Sequence, residues 1–84
     1  MFYFYILKSK KDNNLYFGST SDLRRRLLDH NSGKVLSTKP RRPFEVRYYE
    51  AYFDEIDARK REASIKKDGR AMSVLKNRLT KSLQ

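Results

Sequence analysis

One carboxylate stands in the most basic segment of the chain. On a predicted helix, Glu62 shares a sector with Ala58 and Ile65, and it is surrounded by the cations Arg59, Lys60, Arg61, Lys66 and Lys67. A carboxylate in such a place is either a local salt-bridge partner or an inward-pointing ligand. The second arrangement is what a Mg²⁺ site beside a bound phosphate requires. The spacing leaves both interpretations open.

A second pair of candidate residues lies on an earlier predicted helix. Arg26 and His30 are four residues apart, so they share a face with Leu23 and Leu27. His30 is the only histidine of the chain. The pattern fits either a solvated basic run or a functional pair that borders the apolar stripe.

Tyrosines form the third candidate group. Tyr3 and Tyr5 are two residues apart on a predicted strand, so they face the same side of a sheet. Tyr16 lies on the following strand, where it can be a near neighbour of Tyr5. Strand tyrosines often pack the core, and these positions alone do not separate packing from catalysis.

The elements that must position these side chains begin with a hairpin. Phe2 to Lys8 is predicted to be a buried strand, Lys10 to Asn14 a polar turn, and Leu15 to Ser19 the second strand. A first helix is predicted from near Asp22 to His30 or Asn31, capped by the hydroxyls of residues 19–21 and ended by Gly33.

The second half of the chain contains one more strand and two helices. Residues 34–43 include both prolines and are predicted to be a surface loop. The predicted elements that follow are a strand at Phe44–Tyr52, a helix from a cap at Asp54 to Lys67, a break at Asp68-Gly69, and a helix at Ala71–Lys81. The ββαβαα order predicts an α+β fold, a three-stranded and mainly antiparallel sheet packed against three helices, with one sheet face left for a site.

Composition sets the class of partner. The 84 residues allow one domain, residues 1–84, and 20 Lys and Arg against 10 Asp and Glu give a net charge of +10. This excess is typical of proteins with a polyanionic partner, nucleic acid first and an anionic membrane second. The chain has no cysteine, which excludes disulfides and thiolate zinc sites. The apolar start lacks the features of a signal peptide, so we expect a soluble, cytoplasmic protein.

Several of these residues together resemble a known signature. Tyr3-Phe4-Tyr5 and Tyr16-Phe17-Gly18 are similar to the two halves of the GIY-YIG nuclease signature, and the similarity continues through residues 21–23, 26, 30 and 61–67. It extends from about residue 2 to residue 78. The sequence is most similar to short stand-alone members, which resemble the N-terminal nuclease domain of excinuclease C. Tyr3 and Phe4 replace the Gly and Ile of the signature, Ser19 replaces a lysine of some relatives, and Asn77 aligns loosely with a late asparagine.

The resemblance implies a Mg²⁺-dependent DNA endonuclease whose catalytic set is Tyr5, Tyr16, Arg26, His30 and Glu62. Glu62 would ligate Mg²⁺ or Mn²⁺, and Arg26 would offset charge on the transition state. Tyr5, Tyr16 and His30 are the three candidates for positioning the attacking water or accepting its proton.

DNA contacts are expected on the loop and the second helix, at Lys34, Lys39, Arg41, Arg42, Lys66 and Lys67. Cations of this kind bind phosphates without reading the bases, so we expect low sequence specificity, with a role in DNA repair or recombination. A partner protein could select the substrate, and no small-molecule substrate or membrane partner is expected. The alternative is a non-catalytic nucleic-acid-binding module that retains the nuclease fold.

Overall fold

The structure is a computed structural model that describes all 84 residues. The elements follow the predicted order ββαβαα: β1 (Phe2–Ser9), β2 (Leu15–Thr20), α1 (Leu23–Asn31), β3 (Phe44–Tyr52), α2 (Glu55–Lys67) and α3 (Gly69–Arg78), with a single 3₁₀ turn at Lys39–Arg41. The predicted α+β fold is therefore confirmed. No helix combines the length and the apolar character that crossing a membrane requires.

The three strands form one antiparallel sheet in the order β2-β1-β3. The central strand, β1, pairs on both sides, which explains why residues Phe4 to Leu7 form an unbroken buried run. A register shift between Ile6 and Leu7 interrupts its pairing with β3. The predicted hairpin of β1 and β2 is thus present, and its turn uses Asn13 at a positive φ of 61°.

Alternating residues of β1 enter two different cores. Phe4 and Ile6 pack against Ile65 of α2 and Leu75 of α3. Tyr5 and Leu7 face the opposite side, where Phe44 and the leucines of α1 cover them. The expectation that one sheet face would be left open is therefore wrong, because α1 packs on the face that the tyrosines share.

Aspartates begin all three helices. Asp22 accepts the backbone N–H of Arg25 at 3.0 Å, so this carboxylate caps α1, and the predicted cap by the preceding hydroxyls is wrong. Asp54 caps α2 as predicted. Asp68 accepts from the N–H of Arg70, so α3 begins at Gly69 instead of Ala71, and it ends at Arg78 instead of Lys81.

The segment between α1 and β3 is held by specific contacts. Asn31 pairs with the backbone of Phe44 in both directions, at 2.7 Å for the Phe44 N–H and 3.0 Å for its carbonyl. Thr38 is 1% exposed and lies inside the protein. The predicted loop therefore delivers one buried polar side chain to the α1 side of the sheet.

Candidate active site

A chain of hydrogen bonds runs through the buried side chains between β1 and α1. The Tyr5 hydroxyl lies 3.1 Å from Nε2 of His30, and Nδ1 of His30 lies 2.8 Å from the Thr38 hydroxyl oxygen. Tyr5, His30 and Thr38 are each at most 1% exposed. Because all their polar atoms are paired, the cluster avoids the cost of unsatisfied polar groups in a core.

The hydrogen bond of Thr38 fixes which groups donate and which accept in this series of hydrogen bonds. The Thr38 hydroxyl donates to the carbonyl of Val35 at 3.3 Å, so its oxygen accepts from the Nδ1–H of His30. Nε2 then carries the lone pair and accepts from the Tyr5 hydroxyl. Both ring nitrogens of His30 are therefore occupied by protein groups.

Gly18 makes room for the Tyr5 ring. It pairs with Tyr5 across the β1–β2 ladder, and a Cβ at position 18 would lie 2.5 Å from the Tyr5 hydroxyl oxygen. The tyrosine consequently lies flat over the neighbouring strand, with its hydroxyl directed to His30. This close approach explains a glycine in the middle of a β-strand.

Tyr16 lies at the border between this cluster and the solvent. Its ring meets the His30 ring at a centroid distance of 4.9 Å and an interplanar angle of 64°, and the Tyr5 ring at 6.5 Å. The predicted neighbourhood of Tyr5 and Tyr16 is thus present. In contrast with Tyr5 and His30, Tyr16 is only partly buried.

Burial controls the charge of the two inner groups. It raises the pKa of Tyr5, and the nearby Arg26 guanidinium offsets this only in part. Burial, and secondarily the positive charge of Arg26, lowers the pKa of His30 to about 4. At neutral pH both Tyr5 and His30 are therefore uncharged, and Arg26 is the cation that borders them. Arg26 is half-buried, whereas Arg24 and Arg25 are exposed, as their positions on the helix predict.

Glu62 reaches the site from the other side of the sheet, across the edge strand β2. Its Oε1 accepts from the Ser19 hydroxyl at 2.6 Å, and its Oε2 lies 2.6 Å from Nζ of Lys66. The same Nζ lies 6.0 Å from the centroid of the Tyr16 ring. Burial alone would raise the pKa of Glu62, but the hydrogen bonds from Lys66 and Ser19 outweigh it and lower that pKa.

The donor set is consistent with a magnesium-type ion and not with a caged metal. No group of three or more His, Cys, Asp or Glu side chains converges anywhere in the chain. Mg²⁺ keeps several waters and commonly binds through one or two carboxylates together with substrate phosphates. Glu62, with 23% of its side chain exposed, offers such a single carboxylate.

The cations predicted to contact DNA differ in how free they are. Lys39, Arg42 and Lys67 are exposed and form no ion pair, and Lys34 is only loosely associated with Asp29 at 4.0 Å. Arg41, by contrast, bonds to Asp12 at 2.7 Å, donates to a backbone carbonyl and lies over the Phe44 ring. Arg41 therefore joins the hairpin turn to the loop, and Lys66 is engaged with Glu62.

Comparison with known sequences supplies the family. The sequence matches the GIY-YIG catalytic domain over residues 1–77. The chain belongs to the GIY-YIG family. This is a family of nucleases, and its members generally use divalent metal ions.

Several relatives match most of this chain. A UPF0213 protein of Bacillus pumilus is 45% identical over 65 residues, which cover 76% of this chain and 65% of the relative. A UPF0213 protein of Lactiplantibacillus plantarum is 40% identical over 76 residues, 87% of this chain and 74% of the relative. A third, from Pediococcus acidilactici, is 40% identical over 81 residues, 90% and 82% of the two chains. No solved structure matches the sequence.

Sequence reasoning missed two polar residues of this GIY-YIG domain. Thr38 lies in a proline-containing segment with no periodic pattern, so nothing local indicates that its hydroxyl meets His30. Ser19 stands out in the sequence as a possible helix cap and as the replacement of a lysine, yet its hydroxyl donates to Glu62. Asn77 is exposed on α3, and no hydrogen bond connects it to the five predicted catalytic residues.

Proposed function

We propose that this protein is a metal-dependent endonuclease that hydrolyses DNA phosphodiester bonds with low sequence specificity. The observation that carries the proposal is the cluster of a partly exposed tyrosine, a buried histidine and a half-buried arginine, which Lys66 links to the Glu62 carboxylate. A charged phosphate needs a cation and a metal ligand, and the attacking water needs a proton acceptor. Each of these needs is met by a residue of this cluster.

Exposure separates the three candidates for the proton acceptor. Tyr5 and His30 are buried, and the Nε2 lone pair of His30 is already used by the Tyr5 hydroxyl. Tyr16 is partly exposed on the same cluster. A general base must be within hydrogen-bond reach of the water that it deprotonates. Tyr16 therefore accepts the proton in this proposal, while Tyr5 and His30 hold the cluster in shape from behind.

Arg26 and Glu62 have different electrostatic roles in this proposal. Arg26, which remains charged at any working pH, stabilises the extra negative charge of the transition state. Glu62 holds the divalent cation, Mg²⁺ or Mn²⁺, with the Ser19 hydroxyl orienting its carboxylate. When bound, such a cation polarises the phosphate and stabilises the leaving oxygen.

The free cations suggest how DNA is held. Lys39, Arg42 and Lys67, together with Lys34, would contact backbone phosphates, which positions DNA without reading its sequence. Selection then comes from DNA structure or from a partner protein. A cytoplasmic role in DNA repair or recombination is the setting that this proposal implies.

The test is cleavage of labelled duplex, flapped and branched DNA with Mg²⁺, Mn²⁺ or chelator. Glu62→Gln removes the charge with almost no change of shape, and we expect at least about a 10²-fold loss of metal-dependent cleavage. Glu55→Gln is the matched control, because Glu55 is an exposed carboxylate on the same helix that pairs only with Arg59. Equal cleavage by Glu62→Gln and wild type would refute the metal assignment.

A non-catalytic DNA-binding module is the second candidate. It is favoured by one observation: both oxygens of Glu62 already have hydrogen-bond donors, so the carboxylate has a role without metal. This alternative predicts salt-sensitive DNA binding and no cleavage with either metal on any substrate of the panel.

A further inference from the structure

Lys66 occupies an unusual position among the lysines of this chain. Its ammonium lies 2.6 Å from Oε2 of Glu62 and 6.0 Å from the ring centroid of Tyr16. It therefore stands between the proposed metal ligand and the proposed proton acceptor. Lys67, its neighbour on α2, is exposed and forms no ion pair with any carboxylate.

The ammonium also occupies the open side of the carboxylate. Oε1 of Glu62 is bound to the Ser19 hydroxyl at the sheet edge, whereas Oε2 is bound only to Lys66. The Lys66 side chain is 46% exposed and the Glu62 side chain 23%. Hence Oε2, the oxygen not held by β2, already has a cation on it.

The Lys66 ammonium and a divalent metal ion would compete for the same carboxylate. A lysine and a divalent ion within a few ångströms repel strongly unless the site is well solvated. The Lys66 side chain is long, flexible and half in water, so it can swing away at little cost, whereas Ser19 is part of β2 and cannot.

We propose that Lys66 is the counter-ion of Glu62 in the metal-free protein and that a divalent cation must displace it in order to bind. This competition sets the metal concentration that the site requires. The inference rests on the proposed function in one respect, namely that Glu62 is the metal ligand. It adds that the protein contains its own competitor for the metal, on the next turn of the same helix.

The ion pair has a second consequence. With Lys66 on Glu62, the carboxylate is neutralised and kept in place next to Ser19, so the site is ordered before metal arrives. Once displaced, the ammonium would still be close to Tyr16, now 6.0 Å away, and would be free to pair with a phosphate of bound DNA. A lysine in this place repels the metal but attracts the substrate.

The test measures metal binding without DNA. Mn²⁺ broadens NMR signals of nearby amides even when it binds weakly, so backbone signals of residues 17–20 and 60–64 are followed during a Mn²⁺ titration. The variants are Lys66→Met and Lys66→Gln, with Lys67→Met as the matched control and Glu62→Gln as the variant without the ligand. Lys66→Met and Lys67→Met lower the net charge equally, so the effect of net charge cancels when the two are compared.

We expect both Lys66 variants to bind Mn²⁺ about two- to fivefold more tightly than Lys67→Met, the range that a partly exposed ion pair implies. Glu62→Gln should abolish the local broadening. Equal or weaker binding by the Lys66 variants than by Lys67→Met would overturn the proposal, as would unchanged broadening in Glu62→Gln.

Cleavage assays on the same proteins separate this inference from the proposed function. If neither wild type nor any variant cuts DNA but Lys66→Met still binds Mn²⁺ more tightly than Lys67→Met, the competition is supported and the nuclease proposal fails. If wild type cuts DNA but Lys66→Met and Lys67→Met bind Mn²⁺ equally, the nuclease proposal stands and the competition is overturned.

Discussion

The two sides of β1 pack against different kinds of residues. On the side of α2 and α3, Phe4 and Ile6 meet Ile65 and Leu75, and this cluster of buried residues is wholly apolar. On the side of α1, Tyr5 shares the interior with His30 and Thr38, whose polar atoms are all hydrogen-bonded. Neighbouring residues of one strand thus enter an apolar core and a polar cluster in alternation.

The difference shows where this small protein gains stability and where it keeps its chemistry. Apolar burial contributes to stability in proportion to area and needs no precise orientation. A buried polar cluster contributes little net free energy, because its hydrogen bonds mostly replace those made with water. Its value is the fixed orientation of side chains beside Tyr16. We therefore expect substitutions on the two sides to separate stability from activity.

The largest effect is expected at Tyr16. Tyr16→Phe keeps the ring that packs against His30 but removes the proposed proton acceptor, so kcat should fall by about 10²- to 10⁴-fold. The midpoint of thermal unfolding should change little, because Tyr16 is partly exposed. Single-turnover cleavage and circular dichroism measure the two quantities.

Tyr5→Phe is the matched comparison. It leaves the buried Nε2 of His30 without a donor, so it should lower the free energy of unfolding by about 1–3 kcal/mol and affect kcat less than Tyr16→Phe does. If Tyr5→Phe removed most of the activity and Tyr16→Phe little, the assignment of the two tyrosines would have to be exchanged.

The second effect tests the apolar side. Ile65 is 1% exposed, and Ile65→Ala should lower the free energy of unfolding by about 2–4 kcal/mol, by loss of burial and creation of a cavity. Urea denaturation measures this, with Val74→Ala as control, since Val74 is 56% exposed. At a temperature where the variant stays folded, its kcat should equal that of wild type. A specific loss of kcat would show that the two sides are not independent.

The smallest effect is a pH dependence from the polar side. The unfolded chain protonates His30 below its ordinary pKa of 6.5, whereas in the folded protein the pKa of His30 is about 4. The unfolded state thus binds more protons in this interval, and the free energy of unfolding falls as the pH drops from about 6.5 to 4. His30→Asn should flatten this slope, whatever its effect at neutral pH. An unchanged slope would contradict the buried, neutral histidine.

Local signals were sufficient for most elements. Alternation and turn residues predicted the hairpin, and the prolines and the strand-forming run predicted the loop and β3. The errors lie at element ends, where two groups compete for one role. Asp22 caps α1 in place of the preceding hydroxyls. Asp68 ends α2 as predicted, but it also caps α3, which therefore begins at Gly69 instead of Ala71. A carboxylate is the better acceptor for the free N–H groups and positive dipole end of a helix.

The sequence proposes the members of the candidate site but not the connections between them. Sequence similarity and spacing selected Tyr5, Tyr16, Arg26, His30 and Glu62, and no property of the chain indicated that Thr38 would meet His30. Arg41 was expected to contact DNA because it is a cation in a basic loop. In the structure it binds Asp12, which lies 29 residues earlier in the chain. Which cations are free is a question of long-range pairing.

By itself, the sequence determined the element order, the α+β class, the family signature and the strongly positive charge, because these depend on residue types and on spacing along the chain. Only the tertiary structure decided that both faces of the sheet are covered, that Tyr5 and His30 are sealed while Tyr16 is partly exposed, and that Lys66 sits on Glu62. Burial and pairing arise from contacts between segments far apart in sequence. They set the charge and accessibility of each group, and no local pattern encodes them.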